Sequence, residues 1–208
     1  MGVHAMQVLK EELRQSILRK AKESFFEQGF DKTSMKDIAV KLDVSVGNLY
    51  RYFPNKEALF DAVVLPAYES LTRMIQHHEH NVDEKPSGIF LLEAISDILS
   101  ELLQEHREGL LIILDGSIGT RHERAKDHLF DLLTEHLLSH FADFNQHNDT
   151  SETLDLAVAR PIAVAFFEGF FEIIRQQSDP KLIHKMTKQF VTVMFMGIQQ
   201  LIEPHGRV

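Results

Sequence analysis

The sequence predicts an all-α protein in two parts, a short N-terminal helix-turn-helix unit over residues 1–54 and a larger helical part over 55–208. Three observations predict it. Apolar residues recur at spacings of three and four along the chain, with no alternating stretch of the kind a half-buried strand needs. Proline and glycine fall mainly where helices should end. Residues 33–56 hold two short capped runs separated by a tight turn, the pattern of a helix-turn-helix reader of DNA.

Within that reader, Ser34 with Asp37 forms a capping box: the hydroxyl accepts from a first-turn amide and the carboxylate reaches back to the cap's own N–H. A helix therefore starts near Met35 and buries Met35, Ile38, Ala39 and Leu42, while Lys36, Asp37 and Lys41 point outward. Asp43 occupies the turn, a residue type that tolerates left-handed backbone angles. Ser45 caps the second helix. Gly47 lies in its first turn, where a missing side chain lets the backbone come close to DNA. Leu49 and Phe53, four apart, face the first helix and leave Val46, Asn48, Tyr50, Arg51 and Tyr52 outside. Pro54 disfavours helical angles at Phe53 and ends the reader, and Asn55 caps a third element beginning at Lys56. Tyrosine hydroxyls, an amide and the cations Arg51 and Lys56 on one short surface are groups that hold phosphates and read base edges.

The remaining elements follow in order. A long helix is expected over 55–80 with a kink at Pro66, then a polar loop over 81–87. Helices are expected over 88–105, 107–116, 120–143, 151–177 and 180–202, with loops at 145–150 and 178–179. The last two are apolar on more than one side: Val164, Phe166, Phe167, Phe170, Phe171, Ile173 and Ile174 in one, and Phe190, Val191, Val193 to Met196, Ile198, Leu201 and Ile202 in the other. A helix apolar nearly all round is buried on more than one side. A two-fold reader needs a two-fold protein, so these helices are expected to form a homodimer interface, with Gly169 and Gly197 as points of close approach.

The stretch from residue 17 to residue 64 resembles the TetR family of transcriptional regulators. The matching residues are Ile17, Ala21, Phe25 and Phe26, then Gly29-Phe30, Thr33-Ser34, Asp37-Ile38-Ala39, Val44-Ser45, Gly47-Asn48-Leu49-Tyr50, Tyr52-Phe53 and Asn55-Lys56-Glu57-Ala58-Leu59. One departure is Asp43, where the family usually has glycine. The resemblance covers under a quarter of the chain. It implies a homodimer that places two reader helices in successive major grooves of a palindromic double-stranded operator, with a C-terminal domain that dimerises and binds an inducer. Carried over by position, it implies that Ser34 and Lys36 contact DNA from the first helix of the motif. Val46, Gly47, Asn48 and Tyr50 would face bases or adjacent phosphates, and Tyr52 and Lys56 would hold phosphates. The inducer pocket is expected between the helix after the reader and the helices of residues 88–143. Phe90, Ile98, Leu102, Ile112, Asp115, Phe130 and Phe166 would line it, which points to a largely apolar small molecule.

Composition narrows the classes. The chain has no cysteine, which excludes a disulfide frame, a thiolate metal site and a cysteine nucleophile. It has neither an uncharged apolar run of the roughly 18 residues a membrane span needs nor a signal peptide, so a soluble cytoplasmic protein is expected. The net charge of −9 is unevenly divided. Residues 1–62 carry ten Lys or Arg against nine Asp or Glu, a net of +1, and the remainder carries twelve against twenty-two, a net of −10. The reader is close to neutral, so its cations must be clustered to act on phosphates; Lys32, Lys36, Arg51 and Lys56 are the expected cluster.

Twelve histidines raise the question of metal. His136 and His140 lie four apart with Asp143 beyond, a spacing compatible with two or three ligands, but solvated histidine pairs are common on helices and no metal or other cofactor is expected. The run His77-His78-Glu79-His80 reads as a frayed helix end. His-Glu-x-x-His, Glu-x-x-His, phosphate-cradling glycine motifs and Gly-x-Ser-x-Gly are all missing, so the protein is not expected to be an enzyme. A ligand-responsive repressor is the leading expectation. Two alternatives stay open, a helix-turn-helix regulator without small-molecule input and a histidine-based metal sensor.

Overall fold

The structure is a computed structural model that describes the backbone of residues 2–77, 89–147 and 153–202, and side chains over 7–76, 96–146 and 153–197. The described residues are helical with no strand, in the order α1 (Gly2–Lys32), α2 (Met35–Lys41), α3 (Val46–Tyr50), α4 (Lys56–His77), α5 (Ile89–Asp115), α6 (Ala125–His147), α7 (Ala159–Gln176) and α8 (Pro180–Ile202). They pack as two compact units, one of residues 1–69 with 108–125 and the other of residues 70–107 with 126–208. Residues 108–125, which a division at residue 54 places in the C-terminal part, thus pack with the reader.

In the first unit, α1 to α3 and the start of α4 close around Ile17, Ala21, Phe25, Ile38, Leu49, Leu59, Phe60 and Val64, joined by Ile112 and Ile113. These are the positions at spacings of three and four on each helix, so one stripe per helix supplies the core. Phe60 meets Phe25 and Phe30 edge-on at 5.1 and 5.2 Å between ring centres. Helix α1 is interrupted at Gly29, whose φ of 74° and ψ of 175° only glycine adopts without strain. This break turns the Phe30 N–H onto the carbonyl of Gly116 at 2.8 Å, and a β-carbon on Gly116 would stand 3.0 Å from the Ile112 carbonyl and 3.3 Å from Gly29 Cα. Beyond Gly116, Asp61 of α4 takes His122 Nε2 at 2.8 Å and the Arg121 guanidinium at 2.8 Å.

In the second unit, Leu71, Leu99, Leu103, Phe167, Phe170, Phe171 and Ile174 are buried. Phe167 and Phe171, one turn apart on α7, stack at 5.3 Å. The guanidinium of Arg107 donates through Nε to the carbonyls of Ile174 and Gln177 at 2.8 and 2.7 Å, satisfying acceptors that the end of α7 leaves without an intrahelical donor. Asn145 holds Leu154 by two reciprocal hydrogen bonds of 2.9 and 2.8 Å.

Several boundaries differ from expectation, each for a local reason. The helices expected over 88–105 and 107–116 are one helix, α5, because nothing between them breaks a helix and Arg107 anchors a neighbour instead of capping. Helix α6 starts at Ala125, not at 120, because Thr120 Oγ1 bonds the Ser117 carbonyl at 2.7 Å and accepts from His122 N at 3.0 Å, holding a turn. It also runs on to His147, through the start of the loop expected at 145–150. Helix α7 begins at Ala159 after a 3-10 turn over Leu156–Val158 capped by Asp155. Helix α4 runs through Pro66 as expected, the proline removing the N–H that would have bonded the Ala62 carbonyl. The loop expected over 81–87, the end of the one at 145–150 and the side chains of His77 to His80, Ile198, Leu201 and Ile202 lie outside the described residues.

Candidate nucleic-acid interface and apolar cavity

The reader is built by its caps. Ser34 is extended, at φ −119° and ψ 150°, and its Oγ accepts from Asp37 N at 3.1 Å. The Asp37 carboxylate does not reach back to the cap's N–H as expected; it accepts from the Ser34 hydroxyl at 2.6 Å. Ser45 Oγ accepts from Asn48 N at 3.2 Å, and Asn55 Oδ1 from Ala58 N at 2.7 Å, so α2, α3 and α4 each begin on a side-chain cap. Between α2 and α3 the chain leaves its helix through a Schellman turn, with Val44 N–H on the Ala39 carbonyl and Asp43 N–H on the Val40 carbonyl, both at 3.1 Å. That turn requires a left-handed residue, and Asp43 supplies it at φ 54°.

Leu49 and Phe53 are buried, as their spacing requires. The face left outside presents Lys36, Gly47, Tyr50 and Arg51 exposed, with Ser34, Asn48, Val46 and Tyr52 half-buried. Val46 and Tyr52 also pack against the core, which fixes how far each projects. A β-carbon on Gly47 would meet nothing within 4 Å, so its openness serves no packing within the chain.

Lys56 has an internal role that the sequence did not indicate. Its ammonium donates to the carbonyls of Phe30 and Thr33 at 2.7 and 2.9 Å and sits 4.0 Å from the centre of the Phe30 ring. The α1–α2 connection gives the Phe30 carbonyl one backbone donor, Thr33 N–H at 3.3 Å, and a cation near a helix C-terminus is favoured, so Lys56 is a strut of the reader. Lys41 is also held internally, by Ser24 Oγ at 3.1 Å and Glu27 at 3.5 Å. Lys20 pairs with Glu23, and Lys22 with Glu108 at 2.7 Å. Only a minority of the reader's ten cations therefore faces outward near α3.

The second unit contains an apolar cavity of about 190 Å³. Its wall comes from Met74 and Ile75 of α4, Ile98 and Leu99 of α5, Leu133 and His136 of α6, Phe166 and Phe167 of α7, and Val191, Met194 and Phe195 of α8. Of the residues expected to line a pocket, Ile98 and Phe166 do so. Phe130 lies behind the wall, 6.2 Å from the ring of Phe167, and Leu102 is buried away from it. Ile112 belongs to the core of the first unit and Asp115 is exposed there, because α5 runs on for roughly four turns past Ile98 as one helix. The side chain of Phe90 is outside the described residues. The wall residues of α4, α6 and α8 escaped sequence reasoning because an apolar residue at helical spacing looks the same whether it borders a cavity or fills a core.

His136 and His140 come together with Nε2 atoms 3.0 Å apart and rings 4.4 Å apart, edge-on. Among the described residues no group of three or more His, Asp or Glu gathers as a metal site, so Asp143 does not complete the set that the spacing allowed. No described helix is long and apolar enough to cross a membrane.

Residues 17–63 match the profile of the family described as bacterial regulatory proteins, tetR family. The transcriptional regulator UidR of Escherichia coli K12 is 28% identical over 156 residues, spanning 74% of this chain and 76% of that one. The fold is similar to that of the ketosteroid transcriptional regulator KstR2 of Mycobacterium tuberculosis, with a TM-score of 0.65 at 18% identity over 88% of this chain and 93% of that one. It is also similar to a regulator from Aquifex aeolicus VF5, with a TM-score of 0.60 at 16% identity over 88% and 99%. A profile that falls on the capped reader, and a regulator alignable across most of both chains, agree with the reader's geometry. Residues 17–63 carry the DNA-binding domain of the TetR family, and the relatives support a TetR-family DNA-binding transcriptional regulator.

Proposed function

We propose that the protein is a cytoplasmic homodimeric repressor that releases a palindromic operator when a largely apolar small molecule enters the second unit. The observation that carries this reading is the cavity of about 190 Å³, whose wall is apolar except for His136. Well-packed interiors leave few voids, and an apolar cavity of this size accepts an apolar guest more readily than water. Helices α4 and α5 each contribute to both units, so a guest that favours one arrangement of the second unit has a covalent route to the reader. It can shift the operator equilibrium only by the difference in its affinity for the two arrangements.

The dimer would form through α7 and α8, where Leu182, Val193 and Met196 are exposed at 43, 70 and 47% in the single chain. On the DNA side, Lys36, Gly47, Asn48, Tyr50 and Tyr52, with Ser34 and Val46 beside them, would make the contacts.

The test pairs a gel shift on the region upstream of the protein's own gene with a melting-temperature screen of apolar metabolites. A ligand that binds only the native state raises its melting point. The expected result is a compound that both stabilises the protein and weakens the shift, with Met194→Trp, which fills the cavity, abolishing both effects while the shift itself persists. If the protein shifts DNA and no apolar compound alters either readout, regulation without small-molecule input replaces this reading.

A further inference from the structure

We propose that the first turns of α1 form a second DNA-contacting surface, a groove beside Tyr52 that holds the phosphate backbone flanking the bases read by α3. It rests on the assignment of the reader as a DNA-binding unit. The groove, of about 520 Å³, is lined by Gln7, Val8, Lys10, Glu11 and Arg14 of α1 and by Tyr52 just after α3.

The face of α1 concerned is the one that is buried further along. Positions 7, 10, 11 and 14 continue the stripe of Ile17, Ala21 and Phe25, which are at most 1% exposed, but they run past the three-helix core and leave it. Had that overhang been shaped for a protein partner, the stripe would have stayed apolar. Instead positions 7, 10, 11 and 14 carry an amide, two cations and one carboxylate, facing a tyrosine and with Val8 at the edge of the groove, and the amide, cations and phenol are groups that bind phosphate oxygens.

The one acid in the groove offsets one of its two cations and leaves Lys10 unmatched by a carboxylate of the groove. Glu11 accepts from Gln15 Nε2 at 2.7 Å and stands 3.8 Å from the Arg14 guanidinium, both exposed. The Arg14 guanidinium lies 5.7 Å from the centre of the Phe53 ring, and an arginine held on an aromatic ring keeps in-plane N–H groups available for phosphate. Elsewhere in the reader Lys20, Lys22, Lys41 and Lys56 are held by internal partners. A nearly neutral reader thus has few outward cations, and Lys10 and Arg14 stand where the phosphate track leaves Tyr52.

The test compares full-length wild type with Lys10→Ala and with Lys10→Ala/Arg14→Ala, measuring affinity for the upstream duplex against potassium chloride and mapping contacts by hydroxyl-radical footprinting. Each lost phosphate contact lowers the slope of log affinity on log salt by about 0.9. The expected result is a loss of about 0.9 for the single variant and about 1.8 for the double, per protomer, with protection lost only at the outer edges of the footprint. Lys10→Arg restores both. Arg14 touches Phe53, so Lys10→Ala serves as the variant with no role in packing. Unchanged slope and footprint in Lys10→Ala, with wild type bound, overturn this inference alone, as does a change in oligomer mass that marks the face as a contact between copies. Wild type that binds no duplex overturns the reader assignment and the inference with it.

Discussion

Gly29→Ala should destabilise the protein by about 2 kcal/mol without touching a core side chain. At φ 74° and ψ 175° the residue occupies a region that is essentially glycine-only, and forcing an L-residue there costs about 1–3 kcal/mol. The new β-carbon would stand 3.5 Å from Gly116, ordinary contact, so the penalty is conformational and not a clash. Relaxing the backbone does not avoid it. The Phe30 N–H would move off the Gly116 carbonyl at 2.8 Å, and Thr33 Oγ1 would lose the Gly29 carbonyl at 2.7 Å, each bond worth about 1 kcal/mol. For a chain of this size, each kcal/mol lowers the melting temperature by about 2–4 °C, so a fall of roughly 4–8 °C is expected by circular dichroism. Gly47→Ala is the control, since Gly47 has neither a positive φ nor a neighbour within 4 Å of a β-carbon. A Gly29→Ala protein that melts within about 1 °C of wild type would refute the argument that this glycine is required by its angles.

Gly47→Ala itself should fold at least as well as wild type, since alanine is the better helix former by up to about 1 kcal/mol, yet bind operator more weakly in a gel shift; equal binding would show that DNA does not approach that backbone. Gly169→Ala should cost about 1–3 kcal/mol in urea unfolding, because its β-carbon would fall 2.4 Å from Phe190 Cζ, and Phe190→Leu in the same chain should recover part of the loss. The Tyr68 phenol is pushed above its ordinary value by burial. Below pH about 10 the shift has no consequence, and above it the unfolded chain ionises first, so stability falls as pH rises. An absorbance titration should show a late step that Tyr68→Phe removes, and a titration unaffected by that substitution would contradict the burial.

The reader was legible because its signals are local. Caps at Ser34, Ser45 and Asn55 and the spacing of Leu49 and Phe53 act within four residues, and the structure uses each of them; α3 itself ends at Tyr50, ahead of the stop expected at Pro54. The contact of residues 112–125 with α1 and α4 was not legible. It depends on Gly29 meeting Gly116 and Asp61 meeting Arg121 and His122, pairings separated by sixty residues or more with no periodic trace. The internal bonds of Lys56 were not legible for a related reason. A lysine at the start of an exposed helix resembles a phosphate ligand, and only the three-dimensional path of α1 shows the carbonyls of Phe30 and Thr33 beneath its ammonium. The same holds for Gly169, whose sequence suggests a contact between subunits and whose neighbour is Phe190 of its own chain.

The charge division gains meaning from these internal pairings. A reader of net +1 whose lysines are partly directed to its own acids and carbonyls has little attraction for DNA of arbitrary sequence, and the −10 on residues 63–208 adds long-range repulsion. Non-specific binding should therefore be weak. On the proposed function, operator recognition would come from placed contacts at Lys36, Asn48, Tyr50 and Tyr52, and from the phosphates that α1 is proposed to reach. If a ligand releases the protein as proposed, weak background binding would ease that release, since removing about 1–3 kcal/mol of specific contact energy would leave little affinity to hold it on DNA. A strongly basic reader would need a larger allosteric coupling for the same response.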